Sequence, residues 1–167
     1  LLEAALPQLP GYNIQFLVTG IGMANMAFAM GDFAARHPVG MALNIGVAGV
    51  YGEMVELTEV VQVVEDTFSE IGAAAPTQFV DMQKMGIASW QSAWNGATYY
   101  NAFPATLPFD SGLKQVRGVS VNCVNGREDR IAEVTQRWAP EVETMEGAAF
   151  FLACHRAGIP GLQFRGI

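Results

Sequence analysis

Apolar residues along this chain form short continuous runs that alternate with longer segments of mixed character. The continuous, β-branched runs predict strands over 13–19, 41–47, 58–66, 116–124, 142–145 and 161–167. Recurrent apolar positions predict helices over 23–36, 128–138 and 147–157. The first helix should end before His37-Pro38, because proline disfavours a helical residue before it. Strands that are apolar almost throughout and alternate with helices are typical of an α/β sheet covered on both faces.

The stretch from Phe79 to Pro108 is the least regular part of the chain and is rich in aromatic residues, glycine and alanine. Its aromatic run from Trp90 to Phe103 would cover either the substrate or a subunit interface, and the sequence leaves both open. No internal repeat, low-complexity segment or domain boundary interrupts the chain. Its 167 residues are enough to bury one sizeable core, so we expect a single domain spanning 1–167.

The amino-acid composition and net charge exclude some classes of binding partner and favour others. Hydrophobic residues make up 51% of the chain and charged residues 15%, a balance that favours a homo-oligomer whose subunits cover one another. The net charge is −7 and no basic run exists, so nucleic acid and anionic membranes are poor partners. No apolar run reaches the roughly 18 residues of a transmembrane helix, and we expect no signal peptide. Cys123 and Cys154 are predicted to be free, buried thiols in a reducing cytoplasm.

Glycines mark three predicted strand ends, where α/β folds bind their ligands. Gly20-Ile21-Gly22 supplies only two glycines of a dinucleotide fingerprint, so it is either a tight strand-to-helix turn or a ligand-contacting loop. The small residues of the 46–49 segment would let a ligand, or a neighbouring helix, approach the backbone closely. The third strand end is the 144–147 segment, which carries a carboxylate.

That carboxylate, Glu146, opens a helix that is otherwise almost wholly apolar. A first-turn acid is stabilised by the helix dipole, which gives a capping role as one interpretation. The other interpretation is that Glu146 points into a pocket. An ionised carboxylate only accepts hydrogen bonds, and its two oxygens can accept one from each hydroxyl of a vicinal diol such as that of ribose. Met145 beside it would offer a soft apolar surface to the sugar or simply belong to the core.

Four segments together resemble a known superfamily. They are T-G-I-G-M-A-N at 19–25, N-I-G-V-A-G at 44–49, V-E-T-M-E-G-A-A at 142–149 and R-G-I at 165–167. In this order they resemble the nucleoside phosphorylase and nucleosidase superfamily over essentially the whole chain. The resemblance implies an α/β, three-layer phosphorylase-type fold, with a central mixed sheet flanked by helices. It also implies a small purine nucleoside as the ligand.

The resemblance assigns site residues. Glu146 would bind the ribose 2′- and 3′-hydroxyls, with Met145 packed on the sugar. The remaining substrate-binding positions would be Ala48, Gly49, Asn122, Cys123 and Val124, the first two lining the ribose and base, the others at the purine. The family mechanism passes through an oxocarbenium-like ribosyl cation, which a nearby anion stabilises. No cofactor is expected, and no metal, because His37 and His155 lack metal-ligand spacing to any acidic or cysteine cluster.

Two segments, S-V-N-C-V-N-G at 120–126 and V-E-T-M-E-G at 142–147, resemble the futalosine hydrolase subgroup best. That subgroup hydrolyses futalosine to hypoxanthine and dehypoxanthine futalosine in menaquinone biosynthesis. Hydrolysis is favoured over phosphorolysis because Val47 stands where phosphorylases use a hydroxyl, and neither glycine turn contains an arginine. The alternatives are a methylthioadenosine/S-adenosylhomocysteine nucleosidase and a non-catalytic nucleoside-binding remnant.

The resemblance also raises an expectation about the chain's ends. In this superfamily a water-positioning glutamate lies on a first strand that would precede Leu1, and a purine-side acid follows the segment that matches 165–167. We therefore expect the chain to lack the N-terminal strand and the C-terminal segment, together with the acids that activate water and the leaving base.

Overall fold

The computed structural model describes residues 11–75, 78–82, 84–86 and 111–167, and the backbone alone of 94–95 and 98–100. Its helices are α1 (Met23–Arg36), α2 (Glu128–Trp138) and α3 (Gly147–Ala157). All three have the predicted bounds. α1 ends where His37, in extended conformation, closes the last turn by donating its N–H to the carbonyl of Phe33. α3 ends at Gly158, whose φ of 68° lies in the left-handed region that glycine adopts without strain.

The strands include several that the sequence pattern did not predict. Their bounds are β1 Ala42–Val47, β2 Gly49–Val50, β3 Val60–Phe68, β4 Gly72–Ala74, β5 Phe79–Asp81, β6 Trp94–Asn95, β7 Thr98–Tyr100, β8 Lys114–Ser120, β9 Val142–Thr144 and β10 Gly161–Gly166. In the described part of the chain, eight of them form one sheet whose main path runs β1-β10-β3-β8-β9-β2. The β10–β3 and β2–β9 pairs are antiparallel, whereas β1–β10, β3–β8 and β8–β9 are parallel, so the sheet is mixed as predicted.

The sheet is strongly curled. β1 and β2 stand at opposite ends of the strand order, yet only Ala48 separates them along the chain. With one residue between them, the Cα atoms of Val47 and Gly49 are at most about 7 Å apart, so the two ends of the sheet must come together at this point. Ala48 also donates its N–H to the carbonyl of Gly166 at 3.0 Å, which ties the junction to β10. The curl therefore gathers the ends of β1, β9 and β10 into one place.

Helices cover both faces of the sheet. α1 and α3 pack together around a core that contains Met26, Met30, Phe150 and Phe151. Ser120 of β8 faces α3, and because side chains alternate along a strand, Val119 points to the opposite face. There Val119 packs with Val121, Tyr51 and Val134 of α2. The arrangement agrees with the predicted α/β sheet flanked by helices. No helix in the described residues is long and apolar enough to cross a membrane.

Two predicted strands are wrong in place or extent. Residues 13–19 form no strand, and Val18 is 92% exposed. An apolar run becomes a strand only beside a hydrogen-bonding partner, and no described backbone pairs with this segment. The strand predicted over 116–124 ends at Ser120, so Cys123 lies beyond the sheet and is exposed, contrary to the prediction. Cys154 is buried as predicted, and both thiols are free.

The other strand predictions are close. β3 begins and ends two residues later than predicted, and β2, which begins within the predicted strand end at 46–49, was not predicted. Most of the aromatic run from Trp90 to Phe103 lies outside the described residues, and for Trp94, Asn95 and 98–100 only the backbone is described.

Candidate active site

Glu146 lies at the junction of β9 and α3 and points toward the turn that precedes α1. The backbone N–H of Gly22 donates to its Oε1 at 2.9 Å. Its Oε2 lies 4.0 Å from Nη2 of Arg165, and the side chain remains 19% exposed. A carboxylate offers about four acceptor positions, so both oxygens keep capacity for a ligand. Glu146 is thus held in place yet open to hydrogen-bond donors from outside.

The capping interpretation of Glu146 is wrong. Although it is the N-cap residue of α3, its side chain makes no capping hydrogen bond. Instead, the amide of Gly147 donates to Oγ1 of Thr144 at 3.1 Å, and the amide of Ala148 donates to Oγ of Ser120 at 2.8 Å. Two buried hydroxyls therefore satisfy the start of the helix and leave the carboxylate free for another role.

Among the described residues, Arg165 is the cation nearest to Glu146, and its side chain is only 2% exposed. Nη1 donates to Oδ1 of Asn44 at 3.5 Å and Nη2 to Oε1 of Gln163 at 3.4 Å. A Cβ on Gly46 would stand 2.3 Å from Nη1, so the glycine at this position makes room for the guanidinium. Burial lowers the pKa of Arg165, and the carboxylates of Asp66 and Glu146 oppose that shift.

Asp66 of β3 is fully buried beneath the start of α3. Its carboxylate accepts hydrogen bonds from Ser120 Oγ at 2.8 Å, Thr144 Oγ1 at 3.0 Å and Gln163 Nε2 at 3.0 Å. Burial raises its pKa to about 6, against the effect of these donors and of Arg165. A Cβ on Gly147 would stand 1.9 Å from Oδ2, so α3 approaches Asp66 more closely than any other residue would allow.

A second buried carboxylate, Glu143, joins two turns on the opposite face of β9. It accepts from the hydroxyl of Tyr51 and from Nδ2 of Asn125 at 2.9 Å, and the Asn125 amide lies 3.3 Å from Oε1. Burial and the Glu143 carboxylate both raise the pKa of Tyr51. Gly49 is the β2 partner of Glu143. This carboxylate therefore links the turn at Gly49 to the turn that follows β8.

The predicted site residues occupy neighbouring turns of this region. Ala48 is half-buried and Gly49 exposed at the junction of β1 and β2, and Met145 is half-buried between β9 and Glu146. Asn122, Cys123 and Val124 are exposed in the turn after β8, which Asn125 anchors to Glu143. Nδ2 of Asn122 donates to Oε2 of Glu70 at 2.6 Å, so part of its hydrogen-bonding capacity is already used. No cluster of three or more metal-ligating side chains occurs among the described residues.

Sequence reasoning missed Asp66, Gln163, Arg165 and the role of Glu143. One signal was available: β10 carries Gln163 and Arg165 two positions apart within an otherwise apolar strand, so both share one face. Polar residues at alternate positions of a buried strand require polar partners across that face. Asp66 gave no local signal, because its partners lie on β8, β9 and β10.

Comparison with known proteins decides the family. No protein-family model matches the chain. Over 168 residues, however, it is 33% identical to the futalosine hydrolase of Thermus thermophilus, an alignment that covers 95% of this chain and 70% of that protein. The chain belongs to the futalosine hydrolase family. The futalosine hydrolase of Acidothermus cellulolyticus is 28% identical over 146 residues, or 86% of this chain and 59% of that one.

Solved structures agree on the fold of this futalosine hydrolase family member. A futalosine hydrolase mutant of Helicobacter pylori superposes with a TM-score of 0.68 at 13% identity, covering 89% of this chain and 67% of that one. A 5′-methylthioadenosine/S-adenosylhomocysteine nucleosidase of Neisseria meningitidis, in complex with methylthio-immucillin-A, gives 0.67 at 20% identity, covering 89% and 64%. The family recognised from the motifs is confirmed, and with it a hydrolase acting on N-glycosidic bonds. The solved structures confirm the predicted fold class.

Proposed function

We propose that this chain forms the nucleoside site of an enzyme that hydrolyses futalosine to hypoxanthine and dehypoxanthine futalosine, a step of menaquinone biosynthesis. Its relatives named futalosine hydrolase are matched over 70% and 59% of their lengths. The observation that carries the proposal is the setting of Glu146, a carboxylate fixed by Gly22 and Arg165 that still has free acceptor positions.

Ribose recognition is the role we assign to Glu146. Among the described residues, Oε1 accepts one hydrogen bond, from Gly22, and Oε2 has the guanidinium of Arg165 at 4.0 Å. The 2′- and 3′-hydroxyls of a ribose would donate to the positions that remain. As the glycosidic bond breaks and positive charge develops on the sugar, the same carboxylate would stabilise it. Met145 would pack against the sugar, and Ala48 and Gly49 would line the ribose and base.

The purine side would be formed by the turn after β8. Asn122, Cys123 and Val124 are exposed there, so their side chains are accessible to a bound base. The link from Asn125 to Glu143 would hold this turn at a fixed distance from Gly49. The base and the sugar would therefore bind between the turn after β8 and the turn at Gly49, both of which contact the buried carboxylate of Glu143.

Hydrolysis rather than phosphorolysis follows from the same geometry. Val47, at the turn where phosphorylases place a hydroxyl, is 83% exposed and offers no side-chain donor. Arg165 does approach the sugar-side turn, but it is buried and its guanidinium faces Asn44, Gln163 and Glu146. We therefore expect the Arg165 guanidinium to stabilise the carboxylate of Glu146 and not to bind a phosphate.

The assay that tests this function measures release of free base from futalosine, with and without added phosphate, in the full-length protein. Base release independent of phosphate, with a free sugar as the product, is expected. A sugar 1-phosphate would contradict the hydrolase assignment.

Methylthioadenosine serves as the competing substrate. We expect futalosine to be preferred by at least ~10-fold in kcat/KM, about 1.4 kcal/mol of differential transition-state binding. Equal kcat/KM values on the two substrates would instead favour a methylthioadenosine nucleosidase.

We also propose that the protein acts in the cytoplasm as a homo-oligomer. Two alternate residues of β1 support association, because Leu43 and Ile45 are 49% and 75% exposed on one face of the strand. Light scattering of the full-length protein should give a mass above that of the monomer, and Ile45→Glu should return it to the monomer. A monomeric wild type would contradict the proposal.

A further inference from the structure

Asp66 begins a chain of side-chain hydrogen bonds that ends at Arg165, whose guanidinium forms a long ion pair with Glu146. Nε2 of Gln163 donates to Asp66 at 3.0 Å. On its other side, Oε1 of Gln163 accepts from Nδ2 of Asn44 at 2.9 Å and from Nη2 of Arg165 at 3.4 Å. Nη2 is also the atom that lies 4.0 Å from Glu146. Every member of this chain is buried.

The direction of the chain is set at Asp66. An ionised carboxylate accepts hydrogen bonds and donates none, so the amide of Gln163 must turn its NH₂ toward Asp66. Its carbonyl oxygen is then left facing Asn44 and Arg165. Arg165 has donors only, so it can bind Gln163 in this orientation and not in the reverse one. We propose that Asp66 is a positioning residue that orients Glu146 for ribose through Gln163 and Arg165.

A second connection from Asp66 reaches Glu146 through the backbone. Oδ1 of Asp66 accepts a hydrogen bond from the hydroxyl of Ser120, and Oδ2 accepts one from the hydroxyl of Thr144. The Ser120 oxygen in turn accepts a hydrogen bond from the N–H of Ala148, and the Thr144 oxygen accepts one from the N–H of Gly147. Both amides belong to the first turn of α3. Glu146 is the residue immediately before this turn. The same carboxylate thus fixes both the backbone beside Glu146 and the guanidinium that faces it.

Asp66→Asn should reverse the polarity of the network at almost unchanged volume. The new NH₂ would face Ser120 if it occupied the Oδ1 position, which leaves Gln163 unchanged, or Gln163 if it occupied the Oδ2 position. In the second case Gln163 must turn its carbonyl toward residue 66. Its NH₂ would then face Arg165, donor against donor, and Arg165 would lose its place beside Glu146. The double variant Asp66→Asn with Gln163→Glu restores the polarity. The carboxylate introduced at position 163 would accept from the amide introduced at position 66 on one side, and from Asn44 and Arg165 on the other.

The inference rests on the proposed role of Glu146, so its test measures ribose recognition. The full-length enzyme is assayed on futalosine and on its 2′-deoxy analogue, which lacks one diol hydroxyl. In Asp66→Asn we expect kcat/KM on futalosine to fall at least ~10-fold, and the preference for the ribonucleoside to shrink by a similar factor. The double variant should return both quantities to within ~3-fold of wild type. Asp32→Asn, an exposed aspartate paired with Arg36, is the matched control and should change neither.

Each outcome decides the inference. Wild-type preference for the ribonucleoside in both a folded Asp66→Asn and a folded Gln163→Leu would overturn it, because a merely structural role lowers stability without changing that preference. Loss of preference without recovery in the double variant would overturn the connection through Gln163. If Asp66→Asn does not fold, Gln163→Leu decides, since it cuts the chain but leaves Asp66 both hydroxyl donors, and the same loss of preference is expected. Glu146→Gln separates the two claims: if it keeps the preference, the ribose assignment itself has failed.

Discussion

The backbone amide of Gly22 donates to Oε1 of Glu146 at 2.9 Å, a contact between residues 124 positions apart. Gly22 has a φ of 94°, a left-handed conformation that disfavours other residues, and it lies immediately before α1. The contact holds one oxygen of the carboxylate and leaves the other facing Arg165. The orientation of Glu146 therefore depends on a turn near the start of the chain and on a strand near its end.

Glu146→Gln is the direct test of that carboxylate. The amide keeps the size of the side chain but presents a donor either to the Gly22 amide or to a ribose hydroxyl, both of which need an acceptor. We expect a loss of about 2–3 kcal/mol in transition-state stabilisation, roughly 30- to 150-fold in kcat/KM. Steady-state kinetics on futalosine measures it, with Glu128→Gln on exposed α2 as the control. Wild-type kcat/KM in Glu146→Gln would show that ribose binds elsewhere.

Gly147→Ala should damage the start of α3. The added Cβ would stand 1.9 Å from Oδ2 of Asp66 and 2.6 Å from Nε2 of Gln163, both held in a buried network. We expect a loss of about 3 kcal/mol in the free energy of unfolding, at the upper end of the range for overpacking. The control is Gly31→Ala in α1, where a Cβ meets nothing within 4 Å. That variant should be more stable by about 0.5–1 kcal/mol. Equal effects of the two substitutions in urea unfolding would contradict the close approach.

Asp66 should leave a signature in the pH dependence of stability. Burial raises its pKa from 3.8 to about 6 in the folded state. Because the folded-state value is the higher one, the contribution of this group to stability is full below about pH 4 and is lost as the pH rises through 6. Relative to Asp66→Asn, the wild type should therefore gain about 1 kcal/mol when the pH is lowered from about 7 to 5. Urea unfolding of both proteins measures this, and a pH-independent difference would mean that Asp66 titrates normally.

The two cysteines should differ sharply in reactivity. Cys123 is exposed in the turn after β8, whereas burial raises the pKa of Cys154 to about 12. Iodoacetamide should therefore modify Cys123 in the native enzyme and Cys154 only after denaturation, as peptide mass spectrometry would reveal. Because we place Cys123 at the purine, hypoxanthine should slow its modification. Labelling of Cys123 at the same rate with and without hypoxanthine would remove it from the base side of the site.

Local pattern was sufficient for the helices. The bounds of α1, α2 and α3 all agree with prediction, because helix periodicity and the glycine or proline near each end are encoded within a few residues. The strand predicted over 13–19 failed since its pairing depends on residues elsewhere in the chain. β2, only two residues long, is too short to carry a period and exists because β9 pairs with it.

The candidate site was predictable only in part. The family motifs pointed to Glu146, Met145 and the two glycine-bearing turns, a site proposal that awaits experiment. The residues that hold Glu146 were not predicted, because Gly22 and Arg165 approach it from distant parts of the chain. Asp66 and Gln163 are 97 positions apart, and a single sequence does not show that two such polar side chains need each other.

The one-residue connection at Ala48 limits how this protein can change in length. Gly49 is paired with Glu143, and side chains alternate between faces along β9. One inserted residue between β1 and β2 would slip that pairing by one position and move Tyr51 away from the buried carboxylate of Glu143, whose own orientation is fixed by the pairing of β9 with β8. Length variation and engineered insertions should therefore be tolerated in the exposed turn at 52–54 and excluded at 47–49. The curl of the sheet makes residue spacing at this junction as strict a requirement as residue identity.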